Sequence, residues 1–239
     1  MIISYTRNFA ILAPWKTASS TIWVRLSSFN ESPYSRFHDF NPFLNRVVNQ
    51  HLTYADFMAL PEGRLGLFTA AFVRNPYDRV YSGFRQLQKD IDLQRDSPYP
   101  QPWIKTLILK QLAENFASLC QANFDFDEWL ARVDEHQIFE VGRNSNFPLH
   151  PAHYWTHANG RQMVDFVGRV ENFEEDLRGL CARLNIEVSS TENDNVHTLQ
   201  QQPVEVPYRS AHLMNPRSVA RINELFRDDF ELFGYERLK

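Results

Sequence analysis

The sequence predicts an α/β chain organised around a parallel sheet, and three observations carry the prediction. Phe9, Ile11 and Leu12 form a short apolar run that ends in a loop of small and hydroxylated residues opening a helix. Leu67 to Val73 is a continuous apolar run of strand length that leads straight into a second helix start at Asn75-Pro76. Helical periodicity follows in Trp103 to Gln121, through Leu107, Ile108, Leu112, Phe116 and Leu119. Unbroken apolar runs of this length suit strands buried on both faces, as in a parallel sheet covered by helices.

Composition limits what such a chain does. With 239 residues, 43% hydrophobic and 14% aromatic, it is long and apolar enough for a full core. No internal repeat and no Pro/Gly/Ser linker divides it, so a single domain over residues 1–239 is expected. Lys and Arg total 25 against 29 Asp and Glu, a net charge of -4, so no basic excess points to nucleic acid. No run of about eighteen apolar residues offers a membrane span. Met1 to Arg7 lacks the basic and apolar segments of a signal peptide. Cys120 and Cys181 have neither metal nor redox spacing and are expected to be buried free thiols in a reducing compartment.

The first loop reads Pro14-Trp15-Lys16-Thr17-Ala18-Ser19-Ser20-Thr21, with a helix expected from Thr21 to Phe29. Backbone N–H groups at a helix N-terminus, several hydroxyls and one lysine make a seat for a phosphate or sulfate. Lysine followed by threonine matches the end of a Walker A loop, but neither of that loop's glycines is present, so an ATPase or GTPase loop is not expected. A Ser/Thr-rich turn that merely caps a helix is the competing reading of this stretch. Asn30 to Pro42 is loop-like, Phe43 to Val48 is a short apolar patch, and His51 heads the segment Thr53-Tyr54-Ala55-Asp56-Phe57.

At the second junction Asn75 is a good N-cap, Pro76 a favoured first helical residue, and Asp78 an acid in the first turn. Arg74 stands at the carboxyl end of the strand, where open α/β sheets bind ligands. Ser82 lies about two turns on, on a face that can sit beside it. Ser97 to Pro102 is a proline-rich loop and Phe126 to Val133 a further helix. Asn144 to His157 is irregular, with His150, His153 and His157; no carboxylate or cysteine completes a metal set there, and no metal is expected. Asp165 to Val170 is a strand, and Asn172-Phe173-Glu174-Glu175 has the form of a capping box before a helix through Leu184. Glu187 to Pro207 is polar, a long surface loop. Asn215-Pro216 opens a closing helix with Val219, Ile222, Leu225, Phe226, Phe230 and Phe233 on its apolar face.

Together these residues resemble a known family. Pro14 to Thr21 resembles the 5′-phosphosulfate loop of sulfotransferases, and Phe72-Val73-Arg74-Asn75-Pro76-Tyr77-Asp78-Arg79-Val80-Tyr81-Ser82 resembles their 3′-phosphate segment. Gln50 to Phe57, Val167-Gly168-Arg169-Val170-Glu171-Asn172-Phe173 and Asp229-Phe230-Glu231-Leu232-Phe233-Gly234-Tyr235 fit the carbohydrate (Golgi-type) branch, in the family's order. The resemblance implies a P-loop-like α/β fold, a central parallel sheet flanked by helices. It also implies the donor 3′-phosphoadenosine 5′-phosphosulfate (PAPS) and a hydroxylated acceptor, expected to be a carbohydrate. By position, Lys16, Thr17, Ala18, Ser19, Ser20 and Thr21 would hold the 5′ phosphosulfate, with Lys16 stabilising the leaving phosphate. Arg74 and Ser82 would hold the 3′ phosphate, Arg209 would close over the nucleotide, and His51 would be the general base. His150 and His153 either line the acceptor site or pack structurally.

Two departures matter. The family commonly has proline directly before the loop lysine, whereas Trp15 intervenes here. Metazoan relatives of this kind are anchored in the Golgi and rich in cysteine, and with neither feature expected here a soluble, cytoplasmic and bacterial enzyme is the expected member. A kinase-like phosphotransferase and a non-catalytic module that binds PAPS or its product 3′-phosphoadenosine 5′-phosphate (PAP) are the rival functions.

Overall fold

A computed structural model of the chain describes residues 1–35, 38–95, 99–144, 146–187 and 208–239. Strand β1 (Ile2–Ser4) turns into β2 (Phe9–Leu12), then come α1 (Ser19–Leu26), β3 (Asp39–Asn41), β4 (Arg46–Val48) and α2 (Tyr54–Ala59). They are followed by β5 (Phe68–Val73), α3 (Pro76–Arg95), α4 (Pro102–Gln121), α5 (Phe126–Arg132) and α6 (Glu135–Phe139). The short β6 (His157–Ala158) and β7 (Arg161–Gln162), then β8 (Phe166–Arg169), α7 (Phe173–Leu184), α8 (Pro216–Leu225) and α9 (Arg227–Phe233) complete the order. Residues 97 and 98 of the proline-rich loop and 188–207 of the expected surface loop lie outside the described residues. Among the described residues no helix is long and apolar enough to cross a membrane. The chain groups into two compact units.

The first unit takes in Met1–Arg36, Gln50–Arg74 and Tyr154–Pro207. It contains the expected sheet, in the order β1-β2-β5-β8. β2, β5 and β8 run parallel, with Leu12 opposite Ala71 and Val73 opposite Arg169, while β1 adds an antiparallel edge. Phe9, Ile11, Ala70 and Phe72 pack with Ile22 and Leu26 of α1 and with Phe173, Leu177 and Leu180 of α7. Each helix meets the sheet through residues three or four apart, the stripe that a 3.6-residue period puts on one face.

Glycine is required at one point of this sheet. A Cβ on Gly168 would stand 2.5 Å from the ring of Phe72, which has no exposed surface. Gly168→Ala is therefore expected to destabilise the fold by about 1–3 kcal/mol, as overpacking does. The check is a lower denaturant midpoint at unchanged slope; an unchanged midpoint would mean that Phe72 moves aside without penalty.

The capping box expected at Asn172 does not form, because Asn172 begins α7 without a side-chain cap. Glu174 instead makes two hydrogen bonds, at 2.8 and 2.7 Å, to the guanidinium of Arg25 on α1, and Asp176 accepts the Arg169 N–H at 2.5 Å. A capping box is found at α2, where Thr53 and Asp56 accept each other's backbone N–H.

The second unit takes in Phe37–Asn49, Asn75–His153 and Tyr208–Lys239. Its core is aromatic, joining Tyr77 and Phe84 of α3, Phe126 and Trp129 of α5, and Ile222, Phe226 and Phe230 near the C-terminus. The closing helix expected from Asn215 is two helices, since Phe226 leaves helical geometry between α8 and α9. The Phe226 ring lies 5.0 Å from the guanidinium carbon of buried Arg79. Both cysteines are free thiols, Cys181 buried as expected but Cys120 exposed. Cys120 directly follows Leu119, the last buried residue of the α4 stripe, and faces outward.

Candidate functional site

The loop after β2 has a geometry that its composition does not announce. Lys16 and Ala18 both adopt left-handed backbone, at φ 63° and 61°, although neither is glycine. Each such residue costs roughly 1–2 kcal/mol, and strain of this kind clusters at sites that bind or react. Ala18 is the N-cap of α1 and no side chain caps this end, so the plain Ser/Thr-capped turn is not what forms. The helix begins at Ser19, two residues before the expected Thr21, which puts Ser19, Ser20 and Thr21 in its first turn. The Thr17 hydroxyl donates to the Pro14 carbonyl at 2.9 Å and ties the loop from within. Left-handed backbone at a helix start that no side chain caps is the kind of geometry that can turn successive N–H groups toward an anion, and the segment carries Lys16.

His51 is brought against this loop. Its Nδ1 lies 2.6 Å from the Ala13 carbonyl, and its ring stacks on Trp15 at 3.6 Å between centroids and 21° between planes. Trp15 and His51 are both buried. Trp15, which sequence reasoning left without a role, is thus the floor on which the imidazole lies. A carbonyl only accepts, so Nδ1 carries the proton and, in the neutral ring, the basic lone pair is on Nε2.

Arg74 follows β5 directly, and β5 lies beside β2 in parallel register, so Arg74 and the Lys16 loop leave the sheet at the same edge. Strands in register run about 4.8 Å apart. Arg169 ends β8 at that edge too, opposite Val73. Its motif was visible in Val167 to Phe173, but only the register shows that its position adjoins the site.

Ser82 and Arg209 belong to the second unit. Asn75 caps α3 as expected, its Oδ1 accepting the Asp78 N–H at 2.9 Å while its Nδ2 donates to Asp78 Oδ2 at 2.9 Å. Asp78 Oδ1 also accepts the Ser210 N–H at 2.7 Å, so the segment bearing exposed Arg209 is fastened to the first turn of α3. Ser82 is four residues on from Asp78 and shares its helix face.

His150 and His153 have internal partners. His150 Nδ1 is 2.8 Å from the Ile138 carbonyl, and the His150 carbonyl accepts from Arg79 at 2.8 Å. His153 Nδ1 is 2.8 Å from Asp229 Oδ1. Asp229 further accepts from Arg79 at 3.0 Å and from the N–H groups of Ala152 and His153 at 2.8 and 2.9 Å. Burial alone would raise the Asp229 carboxyl, but the hydrogen bond from His153 and the charge of Arg79 hold it below its ordinary value. Among the described residues no three His, Cys, Asp or Glu side chains form a group that could hold a metal ion.

No curated protein and no solved structure matches the chain significantly. The sulfotransferase family model matches residues 5–236. That span includes the anion loop, His51, Arg74, the capped start of α3, and Asp229 with its partners. The chain belongs to the sulfotransferase family.

Proposed function

We propose that this chain, acting as one sulfotransferase domain, transfers the sulfuryl group of PAPS to a hydroxyl of a carbohydrate or other hydroxylated metabolite. The observation that carries the reading is the glycine-free loop: left-handed Lys16 and Ala18 at an uncapped helix start, with His51 held against its base. PAPS supplies an activated sulfuryl group whose departure leaves negative charge on a phosphate oxygen. In this reading the N–H groups of residues 16–21 surround that phosphate and the Lys16 ammonium stabilises the growing charge. Nε2 of His51 takes the proton from the acceptor hydroxyl, and the hydroxyl oxygen forms the new bond to sulfur as the bond to the phosphate oxygen breaks. The donor-binding roles of Arg74, Ser82 and Arg209 rest on the motif match. A bacterial, cytoplasmic enzyme of the carbohydrate branch is the form this reading takes.

The test is thermal stabilisation by PAP compared with ATP plus magnesium, followed by acceptor screening with labelled PAPS. PAP alone is expected to stabilise; stabilisation by ATP alone would overturn the reading in favour of phosphotransfer. PAP binding with no transfer to any screened hydroxyl would favour a non-catalytic module. Lys16→Met is expected to lower turnover about 10²- to 10³-fold, the usual effect of removing one donor to developing negative charge. PAP affinity should fall by less, because the loop's N–H groups remain.

A further inference from the structure

We propose that Trp15 is a positioning residue: its indole, stacked on His51, acts with the Ala13 carbonyl to lock the imidazole in the Nδ1–H tautomer, with Nε2 as the basic nitrogen. The functional meaning of that lock rests on the sulfotransferase reading, but the lock itself is a property of three residues. The short Nδ1 to Ala13 distance of 2.6 Å fixes which nitrogen bears the proton. The Nδ1–H···O bond holds one edge of the ring, and the indole, 3.6 Å away and 21° from parallel, lies against its face, so the two contacts together restrain the imidazole. Trp15 and His51 are only 8% and 9% exposed, so the Nδ1–H bond is also shielded from competing water.

Both anchors belong to the loop that presents the lysine. Ala13 follows β2 and Trp15 immediately precedes Lys16, whose left-handed backbone turns the chain toward α1. One segment therefore carries the lysine and holds the imidazole.

The experiment is nitrogen NMR of histidine-labelled protein above the ordinary imidazole pKa of about 6.5, with His51 assigned by comparison with His51→Gln. In the native protein the Nδ1–H form is expected to exceed the other about tenfold, and in Trp15→Ala the two should come within about twofold. Trp15→Phe, which keeps a flat ring, should restore the single tautomer. Should Trp15→Ala fail to fold, Trp15→Leu fills the space without a π face and is expected to show the same mixing. A mixed or Nε2–H tautomer in the native protein would overturn the proposal. So would a folded Trp15→Ala or Trp15→Leu with one tautomer, or a Trp15→Phe that restores nothing. PAP titration alongside separates the two claims: absent PAP binding defeats the donor reading, whereas the tautomer result stands or falls without it.

Discussion

Replacing His51 with alanine is expected to lower turnover about 10²- to 10⁴-fold, the usual worth of general-base assistance, while PAP still binds. In the proposed reaction the acceptor hydroxyl has to lose its proton as the sulfuryl group arrives, and Nε2 of a neutral His51 ring would take it. Donor contacts are assigned to the loop N–H groups, Lys16 and Arg74, so binding should survive. His51→Gln is the sharper variant. Its side-chain amide keeps a planar group against Trp15 and an N–H for the Ala13 carbonyl, yet it offers no base. Turnover should be as low as in His51→Ala, with PAP affinity closer to native. Equal loss of binding and turnover in both variants would recast His51 as a support for the loop.

Asp229→Ala is expected to destabilise the second unit by about 3–5 kcal/mol, the usual result of removing one partner from a buried ion pair. Asp229 and the Arg79 side chain are 1% and 0% exposed. Without the carboxylate, the Arg79 guanidinium keeps its bond to the His150 carbonyl but loses this buried ion pair, and the N–H groups of Ala152 and His153 lose the Asp229 acceptor. The control is Glu128→Ala, which removes the partner of Arg132 from a pair more than half exposed on both sides. That change should shift stability by less than about 1 kcal/mol. Both are read from denaturant midpoints, and a comparably small loss for Asp229→Ala would mean that water enters and solvates Arg79.

The same carboxylate gives an acid signature. Its pKa is lower in the folded than in the unfolded chain, so the unfolded state takes up the proton first as pH falls. The stability contributed by Asp229 is complete above the ordinary carboxylate value of about 3.9 and is lost as pH drops through the lowered folded value. Native protein should therefore lose stability on acidification below about pH 4, and Asp229→Asn should flatten that limb.

Much of the frame was legible because its signals are local. The strand at Phe68–Val73 was visible as an unbroken apolar run, and the start of α3 as Asn75-Pro76 with Asp78 in the first turn. Local spacing does not decide capping where a distant partner competes. Asn172-Phe173-Glu174-Glu175 has the right spacing, but Arg25, 149 residues away in the chain, engages Glu174. The closing helix showed a continuous apolar face, and the break at Phe226 appears only when that ring and buried Arg79 are seen packed together. Cys120 departs from the expected burial for a related reason: one residue past buried Leu119, rotation about the helix axis turns it outward.

The candidate site divides in the same way. The sequence by itself determined the family, the parallel α/β class and the residue types for anion chemistry, because strand length, helix starts and motif order are written in neighbouring residues. The tertiary structure alone decided that Lys16 and Ala18 take left-handed backbone, that Trp15 lies under His51, and that Arg169 ends at the same sheet edge as Arg74. Those facts depend on strand register and on a hydrogen bond spanning 38 residues, from Ala13 to His51. Packing between segments far apart in the chain supplies the forces that hold them, and no local pattern encodes it.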